Sequence, residues 1–404
     1  MLSNAQTVQA GPKALSGVRV LDLTQGVAGP YGTMLLGLHG ADVIKVEPRE
    51  GDWSRVLGRT IGQESANFIT YNRGKRSLCV DAKSAHGRQA LLAIAAQCDV
   101  FVESFRPGAI DRLGLGYNDV KKVNPQIIYA SVSGYGQTGP GADRPTVDGL
   151  IQAYSGMMVM NKTPDGQPYR NAMIVVDVAT ALYSYQAIST ALIRKFRFGE
   201  GAHLDISLMQ AAAAFQAAKI MEFVESGAVP LPLYAPAGCY KTLDGHIVVT
   251  CMRTEHFNAL CSVLDRKDMI SDPRWPTQAA RAAHAEPINV ELRREFPKHA
   301  TRDILSRLIK VGVLAEAVRS YGEWLQEDHV AATGAFEWVD HPAFGRLPVV
   351  KVPGVLPHGD RLAEGLPPLI GEQSREILQE FGFSSDWIDA QMREGTVRQT
   401  VRSG

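Results

Sequence analysis

Apolar runs alternate with helical patterns along the first third of the chain. Runs rich in β-branched and aliphatic residues have the length of strands, at residues 18–23, 42–46, 78–80, 100–102 and 127–132. Helical periodicity separates several of them, at residues 31–38 and 87–97. Because strands that alternate with helices form a parallel sheet covered on its faces, this part of the sequence predicts an α/β domain.

The middle of the chain is mainly helical up to a proline-rich segment. Residues 178–196 have apolar positions at helical spacing, residues 203–207 return as a strand, and residues 208–225 predict one long alanine-rich helix. Prolines interrupt Val229–Pro236. Because proline cannot occupy a helix interior, we expect a linker there.

A second, smaller α/β unit is expected beyond the linker. Cys239–Leu243 and His246–Thr250 flank Asp244-Gly245, which is the strongest short hairpin signal. Helical segments follow at residues 255–264, 288–296 and 302–308. The remainder predicts a helix at 321–329, extended segments at 336–339 and 347–352, and helices at 373–381 and 386–393.

Composition excludes several classes of protein. The 404 residues include 42 Lys+Arg and 42 Asp+Glu, so the overall basic field that favours nucleic acid or an anionic membrane surface is absent. The five cysteines, at 79, 98, 239, 251 and 261, form no CxxC pair and are expected to be reduced thiols. The N-terminal segment has no apolar run, and no run is long enough to cross a membrane. The sequence therefore predicts a cytoplasmic protein.

Common cofactor and metal motifs are missing from the sequence. The first strand-to-helix turn reads Gly26-Val-Ala-Gly29-Pro30, which is not the G-x-G-x-x-G fingerprint, and no P-loop motif occurs. Small residues at a helix N-terminus can still approach a phosphate, although the local sequence favours a structural turn. The ten histidines show no metal-ligand spacing, and no G-x-S-x-G nucleophile motif is present.

Two aspartates stand at predicted helix starts. Asp177 lies where the apolar run Met173–Val176 turns into the long helix, and Asp148 opens a helical segment of its own. A carboxylate at such a position either caps the first turn or serves a function. The local sequence by itself favours the cap.

Short motifs spread over most of the chain form a set with a specific order and spacing. Its members are Gly17–Leu23, Ala28–Pro30, Gly40–Glu47, Asn72–Ser77, Val102–Gly108, Asp111–Gly114, Ser133–Pro140, Asp148, Asp177, Pro236–Gly238 and Asp244-Gly245. Together they resemble the class III CoA-transferases, the CaiB/BaiF family that includes formyl-CoA transferase.

The resemblance implies an enzyme that transfers coenzyme A (CoA) between carboxylic acids through an aspartate. Asp177 matches the family nucleophile, and Asp148 and Gln137 match residues that support catalysis. A carboxylate with a reference pKa of about 3.9 is expected to be ionised at neutral pH and to attack a thioester without a base. The implied intermediates are an aspartyl–acyl anhydride and an aspartyl-CoA thioester, in a site that excludes water.

The substrates implied by the resemblance are an acyl-CoA thioester and a small carboxylic acid, with no permanently bound cofactor and no metal. Basic side chains are expected at the CoA phosphates. By motif position, the family's CoA contacts correspond to Val27, Ala28, Arg49, Lys83, Ser104, Phe105, Arg106, Arg112, Arg144 and Val147.

The resemblance also implies the domain organisation and the assembly. A Rossmann-like large domain with a parallel sheet is expected from residues 10–225, completed by a return linker and C-terminal part at 320–404. A linker at 226–236 leads to a small α/β domain at 237–316. Class III enzymes form an interlocked homodimer, and long proline-rich connections are unusual in a compact monomer, so a homodimer is expected here.

Three positions depart from the family pattern and bear on the alternatives. Ser104 stands where an asparagine is common, and Pro236-Ala-Gly238 replaces the glycine run that covers the active site of formyl-CoA transferase. Val147 stands where related racemases have a histidine before the acid, which argues against 1,1-proton transfer. A 2-methylacyl-CoA racemase-like isomerase and a non-catalytic acyl-CoA-binding protein are the alternative functions.

Overall fold

The structure is a computed structural model that describes residues 12–62, 64–163, 166–227, 232–341, 344–355 and 367–401. The chain folds into two compact units, one that runs to Ile220 and resumes at Phe336, and one that comprises Met221–Ala335. The limits predicted from the sequence, 225 and 320, do not coincide with these boundaries. Residues 10–11, 63 and 164–165 of the predicted large domain, 228–231 of the linker, and 342–343, 356–366 and 402–404 of the return segment lie outside the described residues.

The described strands are β1 (Arg19–Leu23), β2 (Asp42–Glu47), β3 (Thr60–Ile61), β4 (Glu64–Ser65), β5 (Arg76–Val80), β6 (Val100–Glu103), β7 (Ile128–Ser133), β8 (Ala202–Ser207), β9 (Ala237–Lys241), β10 (His246–Thr250), β11 (Leu314–Ala317), β12 (Phe336–His341), β13 (Gly345–Val350) and β14 (Val397–Arg398). The described α-helices are α1 (Ala28–Leu38), α2 (Ala66–Tyr71), α3 (Ala85–Ala95), α4 (Ala109–Arg112), α5 (Tyr117–Val123), α6 (Asp148–Tyr154), α7 (Met157–Met160), α8 (Val175–Phe198), α9 (Leu208–Phe215), α10 (Ala217–Ser226), α11 (Thr254–Val263), α12 (Lys267–Ile270), α13 (Gln278–Ala283), α14 (Ala285–Glu295), α15 (Thr301–Lys310), α16 (Tyr321–Trp324), α17 (Asp328–Thr333), α18 (Ser374–Glu380) and α19 (Ser385–Glu394).

A seven-stranded sheet with the order β14-β5-β2-β1-β6-β7-β8 forms the centre of the first unit. Its strands are parallel, except that β14 pairs antiparallel with β5. Counted along the chain, the six parallel strands have the order 3-2-1-4-5-6, which is the order of the Rossmann fold. The strand order reverses between β1 and β6, and ligands of such sheets bind at the carboxyl ends of the strands at this switch point.

Both faces of this sheet are covered by helices. Along β1, Leu21 and Leu23 pack into a core that includes residues of α3 and α18, whereas Val20 packs on the other face with residues of α1 and α8. Successive side chains of a strand point to opposite faces, so a strand buried on both faces consists almost entirely of apolar residues. This is why the short apolar runs predicted a parallel sheet, and the predicted fold class is confirmed.

The second unit contains a three-stranded antiparallel sheet in the order β11-β10-β9. The predicted hairpin is confirmed, since β9 pairs with β10 around the Asp244-Gly245 turn. Asp244 Oδ1 accepts hydrogen bonds from the backbone N–H and the hydroxyl of Thr301 at the start of α15. In the part of the chain that the structure describes, no helix has the length and apolar character needed to cross a membrane.

Several predicted helices differ from the observed ones. The helix predicted at 208–225 is broken at Gln216, whose side-chain amide donates to the carbonyls of Ala212 and Ser155. The helix predicted at 321–329 is two short helices, α16 and α17, with Glu327 extended between them. Helix α1 begins at Ala28 rather than residue 31. The local periodicity of apolar residues cannot predict contacts with distant residues such as Ser155.

Candidate functional site

A cavity of about 640 Å³ lies in the first unit, at the carboxyl ends of the parallel strands. The residues that follow β1 and β6 form part of its wall, so the cavity sits at the switch point of the sheet. The loop at residues 142–147 and the starts of α6 and α8 form further parts of the wall. Segments far apart in the sequence therefore meet at one site.

The turn between β1 and α1 forms one wall, and hydrogen bonds hold its backbone. The Gln25 N–H donates to Ser104 Oγ (3.0 Å), and the Gly26 N–H donates to Asp52 Oδ1 (3.1 Å). Gly26 has a φ of 83°, and a Cβ at this position would lie 2.4 Å from the Trp53 ring. Only glycine fits there. The serine that departs from the family pattern thus ties this turn to the end of β6.

Buried ion pairs lie beneath the same turn. Lys45 Nζ pairs with Asp52 Oδ2 (2.7 Å) and also donates to the Thr24 carbonyl (2.9 Å), and Lys75 Nζ pairs with Asp22 Oδ2 (2.9 Å). The side chains of both pairs are fully buried. Because an unpaired buried charge destabilises a protein by about 3–5 kcal/mol, these pairs restrain the turn to one arrangement.

Asp177 lies in the first turn of α8, and its side chain lines the cavity. Burial raises the pKa of Asp177 to about 7, and the nearby carboxylate of Asp148 adds to the increase. The expectation that this carboxylate is ionised at neutral pH used the reference pKa, which applies to a side chain in water. With the raised pKa, the protonated form of Asp177 is also populated near neutral pH.

Asp148 is the first residue of α6, but its carboxylate caps α8. Its Oδ2 accepts hydrogen bonds from the backbone N–H groups of Val176 (2.7 Å) and Asp177 (3.1 Å), and its Oδ1 accepts from Gln152 Nε2 (2.6 Å). The first N–H groups of a helix have no partner within the helix. Asp148 satisfies two of them and thereby orients the backbone that carries Asp177.

Most of the positions matched to CoA contacts lie together. Those that line the cavity are Val27, Ala28, Ser104, Phe105, Arg106, Arg144 and Val147. Arg144 packs its guanidinium over the rings of Tyr135 (5.1 Å to the centroid) and Tyr154 (5.5 Å). The loop after β7 therefore places a cation at the cavity on an aromatic support.

Four predicted site residues do not line the cavity. Arg49, Lys83 and Arg112 are exposed. Arg49 follows β2 and Lys83 follows β5, so both stand at the same end of the sheet as the cavity, because parallel strands end at the same edge. The Gln137 N–H donates to Asp205 Oδ2 (3.1 Å), and its buried Nε2 has no hydrogen-bond partner among the described residues.

Other cavity residues carried no signal in the sequence. Trp53, Leu57, Arg170 and Ile174 all line the cavity. Trp53 begins a short 3₁₀ turn whose cap is the buried Asp52. Arg170 stands in a polar stretch before the apolar run that leads into α8, and nothing local distinguishes it from a solvated surface charge.

A carboxylate of raised pKa in a cavity at the switch point of a Rossmann-like sheet is typical of an enzyme that acts on a nucleotide-bearing substrate. The sequence profile of CoA-transferase family III matches residues 15–374, and the chain belongs to this family. It is therefore a CoA-transferase of class III, and the resemblance stated from the motifs is confirmed.

Individual relatives agree with this assignment. The succinyl-CoA:glutarate CoA-transferase of Mus musculus is 34% identical over 397 residues, which cover 96% of this chain and 91% of the relative. The acetyl-CoA:oxalate CoA-transferase of Acetobacter aceti is 35% identical over 317 residues, which cover 76% and 82%. A crystal structure of a CaiB/BaiF family protein from Brucella suis superposes with a TM-score of 0.80 at 31% identity, covering 92% of this chain and 100% of that one.

Proposed function

We propose that the protein moves CoA from an acyl-CoA thioester to a carboxylic acid through covalent bonds to the Asp177 side chain. The observation that carries this proposal is the position of Asp177, a partly buried carboxylate of raised pKa that lines the cavity and whose backbone Asp148 orients. CoA enters as a substrate thioester, and no resident cofactor takes part in the reaction.

In the first half of the reaction, the Asp177 carboxylate attacks the thioester carbonyl. The C–S bond breaks, CoA leaves as a thiolate, and a mixed anhydride joins the acyl group to Asp177. The thiolate then attacks the side-chain carbonyl of Asp177 and breaks the anhydride C–O bond. The donor acid leaves as a carboxylate, and CoA remains as a thioester on Asp177.

The second half repeats these steps in reverse order. The acceptor carboxylate attacks the Asp177 thioester, which releases thiolate and forms a new anhydride. The thiolate attacks the acceptor's acyl carbon, and the product acyl-CoA leaves with the Asp177 carboxylate regenerated. No proton is gained or lost in any step. A general base is therefore unnecessary, and the Asp148 carboxylate is free to act as the cap of α8.

Burial of Asp177 favours this chemistry. A pKa increase from 3.8 to about 7 means that the ionised carboxylate is destabilised by about 4 kcal/mol. The anhydride and the thioester carry no charge at this side chain, so acylation relieves both the desolvation and the repulsion by Asp148. Trp53, Leu57 and Ile174 contribute apolar side chains to the wall of the same cavity, where water would hydrolyse the anhydride.

CoA is proposed to lie along the sheet edge where the cavity opens. Its thioester end faces Asp177, and its phosphates extend toward the basic residues that follow the strands, among them Arg49, Lys83 and Arg112. Val147 lines the cavity beside Asp148, and within the described part of the chain no histidine lines it. A racemase-like isomerase would therefore lack the base that the related racemases have.

The protein is further proposed to act as an interlocked homodimer. Helix α8 exposes large apolar side chains near its end, with Ile193 58%, Phe196 63% and Phe198 65% exposed. Soluble monomers rarely leave contiguous apolar patches of this kind in water. A second copy of the chain is the partner that the family resemblance implies for such a surface.

Oxygen-18 transfer tests the proposal directly. Acyl-CoA donors are combined with carboxylate acceptors labelled with oxygen-18, beginning with succinate, glutarate and oxalate, and CoA products are followed by mass spectrometry. One acceptor oxygen should remain on Asp177 after a single turnover, and hydroxylamine should trap the Asp177 thioester.

Asp177→Ala should abolish transfer while the fold and CoA affinity persist, and Asp386→Ala, an exposed exchange on α19, is the matched control. CoA transfer that survives in Asp177→Ala would refute the nucleophile assignment. CoA binding without transfer to any acid of the panel would instead favour a non-catalytic binding protein.

A further inference from the structure

A guanidinium group that has no partner among the described residues lies in the wall of the cavity that also holds Asp148 and Asp177. Arg170 lines this cavity, and among the described residues it makes no hydrogen bond or ion pair. The two other arginines of the wall likewise make no side-chain hydrogen bond or ion pair among the described residues, but they lie elsewhere in the wall. Arg144 packs on aromatic rings, and Arg106 belongs to the segment after β6 at the switch point.

The position of Arg170 depends on a glycine. Its side chain crosses the start of α6 over Gly149, with Cδ 2.9 Å and Nη1 3.1 Å from the place that a Cβ of Gly149 would occupy. An alanine at this helical position would displace the guanidinium without straining the backbone, because Gly149 does not have a positive φ. The absence of a side chain at residue 149 therefore makes room for Arg170 in the cavity wall.

The same hydrogen-bonded frame holds Arg170 and the nucleophile. Asn171, the next residue, donates its N–H to Gln152 Oε1 (2.9 Å), and Gln152 Nε2 donates to Asp148 Oδ1 (2.6 Å). Asp148 in turn accepts from the Asp177 N–H (3.1 Å). A chain of short contacts thus fixes the backbone beside Arg170 relative to the first turn of α8.

The charged side chains in this wall affect which acyl groups the cavity can accept. Two carboxylates, Asp148 and Asp177, lie here, so an acyl group with a second carboxylate at its far end would be repelled unless a cation compensates. Arginine binds carboxylates through two parallel N–H···O bonds in a fixed geometry. The apolar side chains of Leu57 and Ile174 in the same cavity suit the methylene groups between the two ends of a diacid.

We propose that Arg170 binds the second carboxylate of a dicarboxylic acyl group while its first carboxyl reacts at Asp177. Arg170 is then the residue that selects diacids over monoacids, and this role rests on the proposed transfer of CoA through Asp177. A monoacid of the same length would leave the guanidinium unpaired and gain nothing from it.

Self-exchange with two matched acids tests this role without a second donor. Labelled glutarate is exchanged into glutaryl-CoA, and labelled pentanoate into pentanoyl-CoA. The two acids have the same length and differ only in the distal group. The wild type should exchange glutarate with the higher kcat/KM. Arg170→Gln should lower kcat/KM for glutarate by about ten- to a hundredfold and leave pentanoate nearly unchanged.

Two further variants separate charge from geometry. Arg170→Lys should restore only part of the glutarate rate, since it keeps the charge and loses the planar pair of donors. Gly149→Ala should reduce the preference for glutarate while Arg170 itself remains in the chain. Arg393→Gln, an exposed exchange on α19, is the control for loss of a positive charge.

The outcomes that overturn this role differ from those that overturn the proposed function. The role of Arg170 is refuted if the wild type exchanges both acids equally well or exchanges only pentanoate. It is also refuted if the wild type exchanges neither acid but transfers CoA to other acids. In each case the proposed transfer of CoA remains. If Arg170→Gln lowers kcat/KM equally for both acids, the substitution has a general effect on Asp177, and the role of Arg170 is again refuted. No transfer to any acid, with or without Arg170, refutes the proposed function itself.

Discussion

Replacing Asp177 by asparagine should stabilise the protein by an amount that increases with pH. Burial and the Asp148 carboxylate raise the pKa of Asp177 from 3.8 to about 7 in the folded chain. The folded state therefore favours the protonated form. Its contribution to stability is fully present below pH 3.8 and is lost as the pH rises through about 7. Asparagine has nearly the same shape and cannot ionise.

The size of the effect follows from the two pKa values. The complete shift corresponds to a cost of about 4 kcal/mol for the ionised side chain. Between pH 5 and pH 8, the difference in unfolding free energy between Asp177→Asn and the wild type should grow by about 2.6 kcal/mol in favour of the variant. With the usual unfolding entropy per residue, this is an increase of about 3–4 °C in the difference between the two melting temperatures.

Differential scanning calorimetry of both proteins at pH 5 and pH 8 measures this gap. The protein concentration is held constant because association shifts melting temperatures. Titrating groups that do not interact with Asp177 affect both proteins equally and cancel in the comparison. Asp386→Asn, an exposed exchange on α19, controls for the substitution itself, and mass spectrometry checks that the new asparagine has not deamidated. A gap that is the same at both pH values, or larger at pH 5, would refute the reasoning.

Three further predictions concern the pH dependence of catalysis, the binding of CoA and the oligomeric state. The kcat/KM for CoA transfer should rise with pH through about 7 as Asp177 ionises, and a flat profile from pH 5 to 9 would contradict this. Alanine at Arg49, Lys83 or Arg112 should raise the acyl-CoA KM about ten- to a hundredfold with little change in kcat. Steady-state kinetics that leave this KM unchanged in all three variants would exclude phosphate contacts. Sedimentation at low micromolar concentration should show no folded monomer of 43.9 kDa, and a stable monomer would count against the interlocked dimer.

Hydrophobic patterning accounts for much of the fold because the central strands are buried on both faces. The apolar runs that became β1, β2, β6 and β7 are recognisable from local sequence, and so is the Asp244-Gly245 hairpin. The break at Gln216 is different. At this break the Gln216 side chain donates to the Ser155 carbonyl, 61 residues away in the sequence, and the alanine-rich stretch itself gives no sign of this contact.

A set of short motifs in a specific order was enough to identify the family and to point to Asp177 as the candidate nucleophile. The surroundings of that aspartate could be seen only in the folded chain. Asp148, 29 residues away in the sequence, accepts a hydrogen bond from the backbone N–H of Asp177 and repels the Asp177 carboxylate. Arg170 lines the same cavity and packs over Gly149, which has no side chain. A pKa depends on the water and the charges around a group, and these surroundings exist only once distant segments of the chain have come together.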